Sequence, residues 1–257
     1  MSRLHLTFPC EGSRLAGTLD TAPGQTGLLI VSGGNEVRSG AFSGQARFAA
    51  KIARAGFPVF RYDRRGIGDS EGINRGFRQA GPDITAALSG FRAISPQIVR
   101  IVGFGNCDAA SALMLAAGGG CDGLLLSNPW TIDTTDDTPP AGAIRRRYAE
   151  KLRNPRELVR LARGQVNFGK LARGLRKAAT RTQGPNSLSH EMQAGLARFH
   201  GPVRILLATA DRTAQAFLES WPVGDERIRR CEGATHAYVE QESTDWLVDQ
   251  TLLALRS

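Results

Sequence analysis

The pattern of apolar and polar positions divides the chain into segments that alternate between strand and helix. Residues 3–9 and 14–19 alternate apolar with polar around the turn residues Glu11-Gly12-Ser13, so the chain opens on an antiparallel hairpin at a sheet edge. Residues 27–32, Gly-Leu-Leu-Ile-Val-Ser, are continuously apolar instead, as in a parallel strand covered on both faces. Helical spacing through Phe42, Phe48, Ala49, Ile52 and Ala53 predicts a helix over 41–55, closed by Gly56. A buried strand over 57–63, a loop over 64–72 and a helix over 83–94 follow. The strand 99–105 then passes directly into an Ala/Leu-rich helix reaching Gly118-Gly119-Gly120, and 123–128 supplies another core strand. Strands over 203–209 and 226–231 and a helix over 243–255 complete the series. Strand alternating with helix predicts a parallel sheet with helices on both faces.

That rhythm fails between Pro129 and His200. The segment has no strand pattern, only a polar stretch over 131–140 and basic helical pieces around 141–153, 155–163 and 167–180. Residues 1–128 and 201–257 therefore read as the core, and 129–200 as a helical cap inserted over the strand ends. The net charge of +9 sharpens this division, because thirteen Lys and Arg lie between Arg145 and Arg181 against only Glu150 and Glu157. So local an excess points to a phosphate-bearing substrate or to peripheral contact with an anionic membrane. It argues against nucleic acid, since the basic segment lacks the interleaved aromatics of a base-stacking surface.

Cysteine usage narrows the chemistry. Cys10, Cys107, Cys121 and Cys231 are scattered, form no CxxC pair, and share the chain with only four histidines. Neither a disulfide scaffold nor a zinc module is indicated, and no metal or organic cofactor is expected. The opening residues lack the apolar core of a signal peptide, and no run approaches the ~18 apolar residues of a membrane span. The expectation is a soluble, cytoplasmic protein.

Within Val99-Arg100-Ile101-Val102-Gly103-Phe104-Gly105-Asn106-Cys107-Asp108-Ala109-Ala110, Cys107 falls on the turn between strand and helix. The layout is that of a nucleophile elbow, G-x-S-x-G, with Gly105 and Ala109 as the small flanking residues and cysteine in place of serine. A helix N-terminus beside the sulfur favours its thiolate. The partners such a nucleophile needs come later in the chain, an acid and then a histidine. Asp211 ends the strand over 205–210, and His236 sits in a loop past the last strand, both on the carboxyl edge of the sheet. Asp211 would orient His236, and His236 would deprotonate Cys107 and later activate water.

Donors for a developing oxyanion are expected from the amide of Asp108 and from the loop after residue 32, through Gly34 or, one residue on, Asn35. Glu36 and Arg38 on that loop, Asn106 beside the nucleophile and Trp130 after the next strand are candidate substrate contacts. His5, His190 and His200 lie away from the strand ends that carry the site. Ser111 falls a turn into the helix among alanines, and the glycines of Arg65–Ser70 lack the lysine of a phosphate loop.

These features together resemble the α/β-hydrolase superfamily, with elbow, acid and histidine in the expected order. A nearer resemblance, to the hydrolases associated with the exosortase A system, type 1, is carried by four stretches. They are Ser32-Gly33-Gly34-Asn35, Ala55-Gly56-Phe57-Pro58-Val59, Tyr62-Asp63-Arg64-Arg65-Gly66-Ile67-Gly68-Asp69-Ser70-Glu71-Gly72 and Cys107-Asp108-Ala109-Ala110-Ser111-Ala112. The resemblance implies an α/β-hydrolase fold, a mostly parallel sheet flanked by helices with a helical cap insertion. It also implies a cytoplasmic protein linked to exopolysaccharide production and protein sorting. The cysteine departs from the usual serine, as it does in dienelactone hydrolases, and suits activated acyl groups such as thioesters and lactones. The expected activity is hydrolysis of a small-molecule ester or thioester through an acyl-cysteine. The alternatives are acyl transfer on the same triad and a non-catalytic module that binds a membrane or partner through the basic cap.

Overall fold

A computed structural model of the chain describes residues 2–132 and 187–257. Eight strands form one sheet: β1 (Arg3–Cys10), β2 (Ser13–Asp20), β3 (Thr26–Val31), β4 (Val59–Tyr62), β5 (Arg100–Asn106), β6 (Gly123–Ser127), β7 (Val203–Ala208) and β8 (Ile228–Cys231). Their spatial order is β1-β2-β4-β3-β5-β6-β7-β8. The hairpin β1–β2 runs antiparallel to its neighbours, and every pair from β4 to β8 is parallel.

Among the described residues, six α-helices flank the sheet: α1 (Gly44–Arg54), α2 (Gly81–Ile94), α3 (Asp108–Leu115), α4 (Ser187–Ala197), α5 (Arg212–Ser220) and α6 (Gln241–Arg256). Alternation along β3 shows why both faces need a layer. Leu28 and Ile30 point toward α1 and α6, where they meet Phe48, Ile52, Leu247 and Leu255. Leu29 and Val31 point the other way, toward Ile84 and Phe91 of α2, Leu113 of α3, Leu188 and Met192 of α4 and Phe217 of α5. Burying each such side chain is worth about 1.5–3 kcal/mol, which makes the continuous apolar run of β3 a strong determinant of its central place.

Several boundaries depart from the sequence pattern. Phe42, which the helical spacing includes, has φ of 49° and lies outside α1, with its side chain almost fully exposed. The helix after the elbow stops at Leu115, before the glycine run, whose Gly118 and Gly119 turn to positive φ. Helix α5 was not anticipated. The expected cap falls mostly on residues 133–186, outside the described residues. Its final stretch contains α4, which packs into the core, with Gly195 so close to α3 that an added Cβ would lie 2.0 Å from the Met114 carbonyl oxygen.

The edge hairpin is held together and tied to the sheet by ion pairs on one buried carboxylate. Asp20 of β2, fully buried, accepts from Arg3 Nε at 2.7 Å and from Arg61 Nη2 of β4 at 3.1 Å. Among the described residues, no helix is long and apolar enough to cross a membrane. None of their His, Cys, Asp and Glu side chains gather in threes as a metal would require.

Candidate active site

The site is assembled at the carboxyl ends of β5, β6 and β7. Cys107 follows β5 directly and caps the N-terminus of α3, with φ of 62° and ψ of −129°, a sparsely populated conformation for a non-glycine residue. Close packing permits the turn. A Cβ on Gly105 would lie 2.6–2.7 Å from the backbone of Ala109 and Ala110, so the strand and helix approach only because that position has no side chain. The Cys107 amide donates to Ser127 O at 3.0 Å, and its carbonyl accepts from Trp130 N at 3.3 Å, which binds the elbow to β6 and the segment after it.

Asp211 sits just past β7 and caps α5, its Oδ2 accepting from Ala214 N at 3.1 Å. The same oxygen lies 2.9 Å from His236 Nδ1, with the carboxylate buried and the imidazole half-buried. Cys107 stands near the same ring and acts on it, and with Nδ1 given to Asp211 the nitrogen left for the sulfur is Nε2. The hydrogen bond to Asp211 and then the nearness of Cys107 hold the imidazole in its charged form and outweigh its burial. They lift His236 from 6.5 to about 10. The chain thus brings Asp211 and His236 into one hydrogen-bonded pair, with Cys107 beside it.

Of the residues expected to supply oxyanion donors, Asp108 follows Cys107 at the start of α3 and Gly34 meets its side chain. The Asp108 amide begins α3 and points out of the helix end. The Gly34 amide donates to the Asp108 side chain, at 2.6 Å from Oδ1. Arg64, itself buried, donates from Nη2 to the Gly34 carbonyl and stands 3.7 Å from Asp108 Oδ2. Asn35, the next residue, has its side-chain oxygen held by Asn74 Nδ2 at 3.0 Å.

The four candidate substrate contacts divide. Trp130 lies beside the elbow, its carbonyl accepting from Ser111 Oγ at 2.8 Å and its indole donating to Ile132 O at 2.8 Å. Asn106 donates to the His236 carbonyl at 3.2 Å and so belongs to the support of the histidine loop. Arg38 turns toward β2 and β4, where it bonds Thr18 Oγ1 at 3.0 Å, Asp69 Oδ2 at 2.8 Å and Asp63. Glu36 accepts from Gln45 Nε2 at 3.3 Å.

A family model described as the alpha/beta hydrolase family matches residues 28–250. The chain belongs to the α/β-hydrolase family. Solved structures of the same fold include the α/β hydrolase GrgF from Penicillium sp. sh18, with a TM-score of 0.65 and 17% identity over 100% of this chain and 98% of that one. The Pyrococcus furiosus esterase Pf2001 follows at 0.64 and 12%, covering 99% of this chain and 90% of that one. Est1E from Butyrivibrio proteoclasticus, solved with ferulic acid bound, gives 0.61 and 14%, covering 98% and 100%. No curated protein matches the chain in sequence.

Sequence reasoning did not identify one polar residue of this α/β-hydrolase site. Asn128, fully buried at the end of β6, is bonded to the histidine loop and to both neighbouring strand ends. Its signal was available, since a lone amide closes an apolar strand at the sheet edge that also carries Cys107 and Asp211.

Proposed function

We propose that this α/β-hydrolase cleaves a carboxylic ester or thioester through an acyl-Cys107 intermediate. The observation that carries the reading is the pair in which Asp211 Oδ2 lies 2.9 Å from His236 Nδ1 while Cys107, at the start of α3, acts on the same ring. His236 holds the thiol proton as an imidazolium, and the Cys107 sulfur forms a bond to the acyl carbon. The carbonyl oxygen gains negative charge and is received by the amides of Asp108 and Asn35. With its N–H given to Asp108 Oδ1, Gly34 serves in the resting geometry to shape this loop. As the intermediate collapses, the bond to the leaving alcohol or thiol breaks and His236 returns the proton to it. A water molecule deprotonated by His236 then attacks the acyl-cysteine, releasing the carboxylic acid and the thiol.

Cysteine favours activated acyl groups, and the basic residues between Arg145 and Arg181 favour a donor that carries phosphate, such as a coenzyme A thioester. The motifs shared with the exosortase A system hydrolases support a place in exopolysaccharide-linked metabolism. Two solved structures of the fold, an esterase and one holding ferulic acid, are consistent with ester chemistry.

Turnover of p-nitrophenyl butyrate and butyryl-CoA tests this reading. Cys107→Ala should abolish turnover, and His236→Ala should lower kcat by about 10²–10⁴-fold. Turnover that survives Cys107→Ala would remove the cysteine from the mechanism.

A further inference from the structure

The elbow, the acid and the histidine sit on three separate segments, and a triad works only if their mutual placement holds to a fraction of an ångström. One side chain touches all three segments. Asn128 Oδ1 accepts from Ala208 N at 2.8 Å, at the end of β7 and three residues before Asp211. Its Nδ2 donates to Asn106 Oδ1 at 3.0 Å, beside Cys107, and to the His236 carbonyl at 3.3 Å. Asn106 donates to the same carbonyl at 3.2 Å.

The orientation of the Asn128 amide is set by its surroundings. The Ala208 N–H requires an acceptor opposite it, so the oxygen faces β7 and both amide hydrogens face Asn106 and His236. Asn128 itself is fully buried with φ of 42°, a left-handed conformation that asparagine tolerates better than most residues. Its own amide donates to Leu206 O at 2.9 Å, which fixes the backbone from which the side chain reaches. Burial, an unusual backbone angle and three satisfied side-chain bonds all serve one polar group in an otherwise apolar strand.

We infer that Asn128, assisted by Asn106, is a positioning residue that holds the His236 loop in register with Cys107 and Asp211. The inference rests on the acyl-cysteine reading above. Asn128 touches no reacting atom, so its effect is on the placement of the imidazole. The ionisable side chains acting on His236 are Asp211 and Cys107. Tyr238, two residues on, accepts from Ser127 Oγ through its hydroxyl at 3.2 Å, and burial raises it above its ordinary value and keeps it neutral.

The test is the pH profile of Cys107 alkylation by iodoacetamide, followed by intact mass, with p-nitrophenyl butyrate kinetics alongside. The variants are Asn128→Gly, which suits the left-handed backbone, Asn106→Ala and His236→Ala. In the parent, alkylation of Cys107 should follow a pH profile that His236→Ala displaces. Asn128→Gly should move the midpoint of that profile toward the His236→Ala one by about one pH unit and lower kcat by about tenfold to a hundredfold, with KM changed far less. Asn106→Ala should shift both in the same direction by less, and it decides the matter if Asn128→Gly does not fold. If His236→Ala moves the profile while the folded asparagine variants keep the parent profile, the positioning role is overturned even if their melting temperatures fall. If His236→Ala itself leaves the profile unchanged, the acyl-cysteine reading fails first.

Discussion

Four cysteines share one chain, yet their surroundings give them different chemistry. Cys10, Cys121 and Cys231 are buried in the two cores. Burial, reinforced by Asp83, pushes the Cys10 thiol up to about 11, and burial with Asp122 beside it pushes Cys121 up to about 12. Burial also raises Cys231, with Glu232 adding to the effect. Cys107 alone is half-buried, at a helix N-terminus with an imidazole against it. Brief iodoacetamide treatment of the native protein at neutral pH should therefore add one label, at Cys107, and four after unfolding. Equal labelling of Cys10 or Cys231 in the native state would contradict this. The histidine offers a second test. Its folded-state value of about 10 lies above the ordinary 6.5, so the proton is bound more tightly in the fold. The stability this contributes is complete below about pH 6.5 and is lost as the pH rises through about 10. The unfolding free-energy gap between parent and His236→Gln should shrink from about pH 6 to about pH 10. A gap independent of pH would leave no linkage to this group.

At the scale of elements, the sequence exposed what burial on both faces makes obvious. Strands β3, β5 and β6 are legible because a strand between two helical layers must be apolar at successive positions, as Leu28 to Val31 are. The elbow is legible because its small residues answer a steric demand. Helix α5 was missed, although Asp211 announces its start. The residue read as an orienting acid at a strand end is also an N-cap, and Ala214 and Phe217 behind it form a short apolar face. Phe42 misled for the opposite reason, since periodicity counts a side chain that the backbone angle then turns into solvent. The donors of the loop after β3 were half legible. No pattern reveals that the Asp108 carboxylate takes the Gly34 amide, because that bond depends on how two distant segments approach. The packing of α4 on α3 was likewise hidden, and it yields a direct prediction. Gly195→Ala places a methyl against the Met114 carbonyl and should destabilise the fold by about 1–3 kcal/mol, read from urea unfolding. An unchanged midpoint would mean that the two helices can separate freely.

At the scale of the whole molecule, the parallel sheet gathers the carboxyl ends of β5, β6 and β7 at one edge. Cys107, the buried Asn128 and Asp211 therefore stand side by side, though Cys107 and Asp211 are far apart in sequence. The histidine loop after β8 returns to that edge and meets Asp211. The hairpin β1–β2, anchored through Asp20, Arg3 and Arg61, closes the far edge and takes no part in this arrangement. The central claim, that Cys107 carries the acyl group, is best tested by intact mass after rapid acid quench of the protein with p-nitrophenyl butyrate, followed by peptide mapping. The account predicts a butyryl adduct on the peptide containing Cys107, more abundant in Asp211→Asn if deacylation slows more than acylation, and absent from Cys107→Ala. Turnover in the parent with an adduct on another residue, or an adduct that persists in Cys107→Ala, would contradict it.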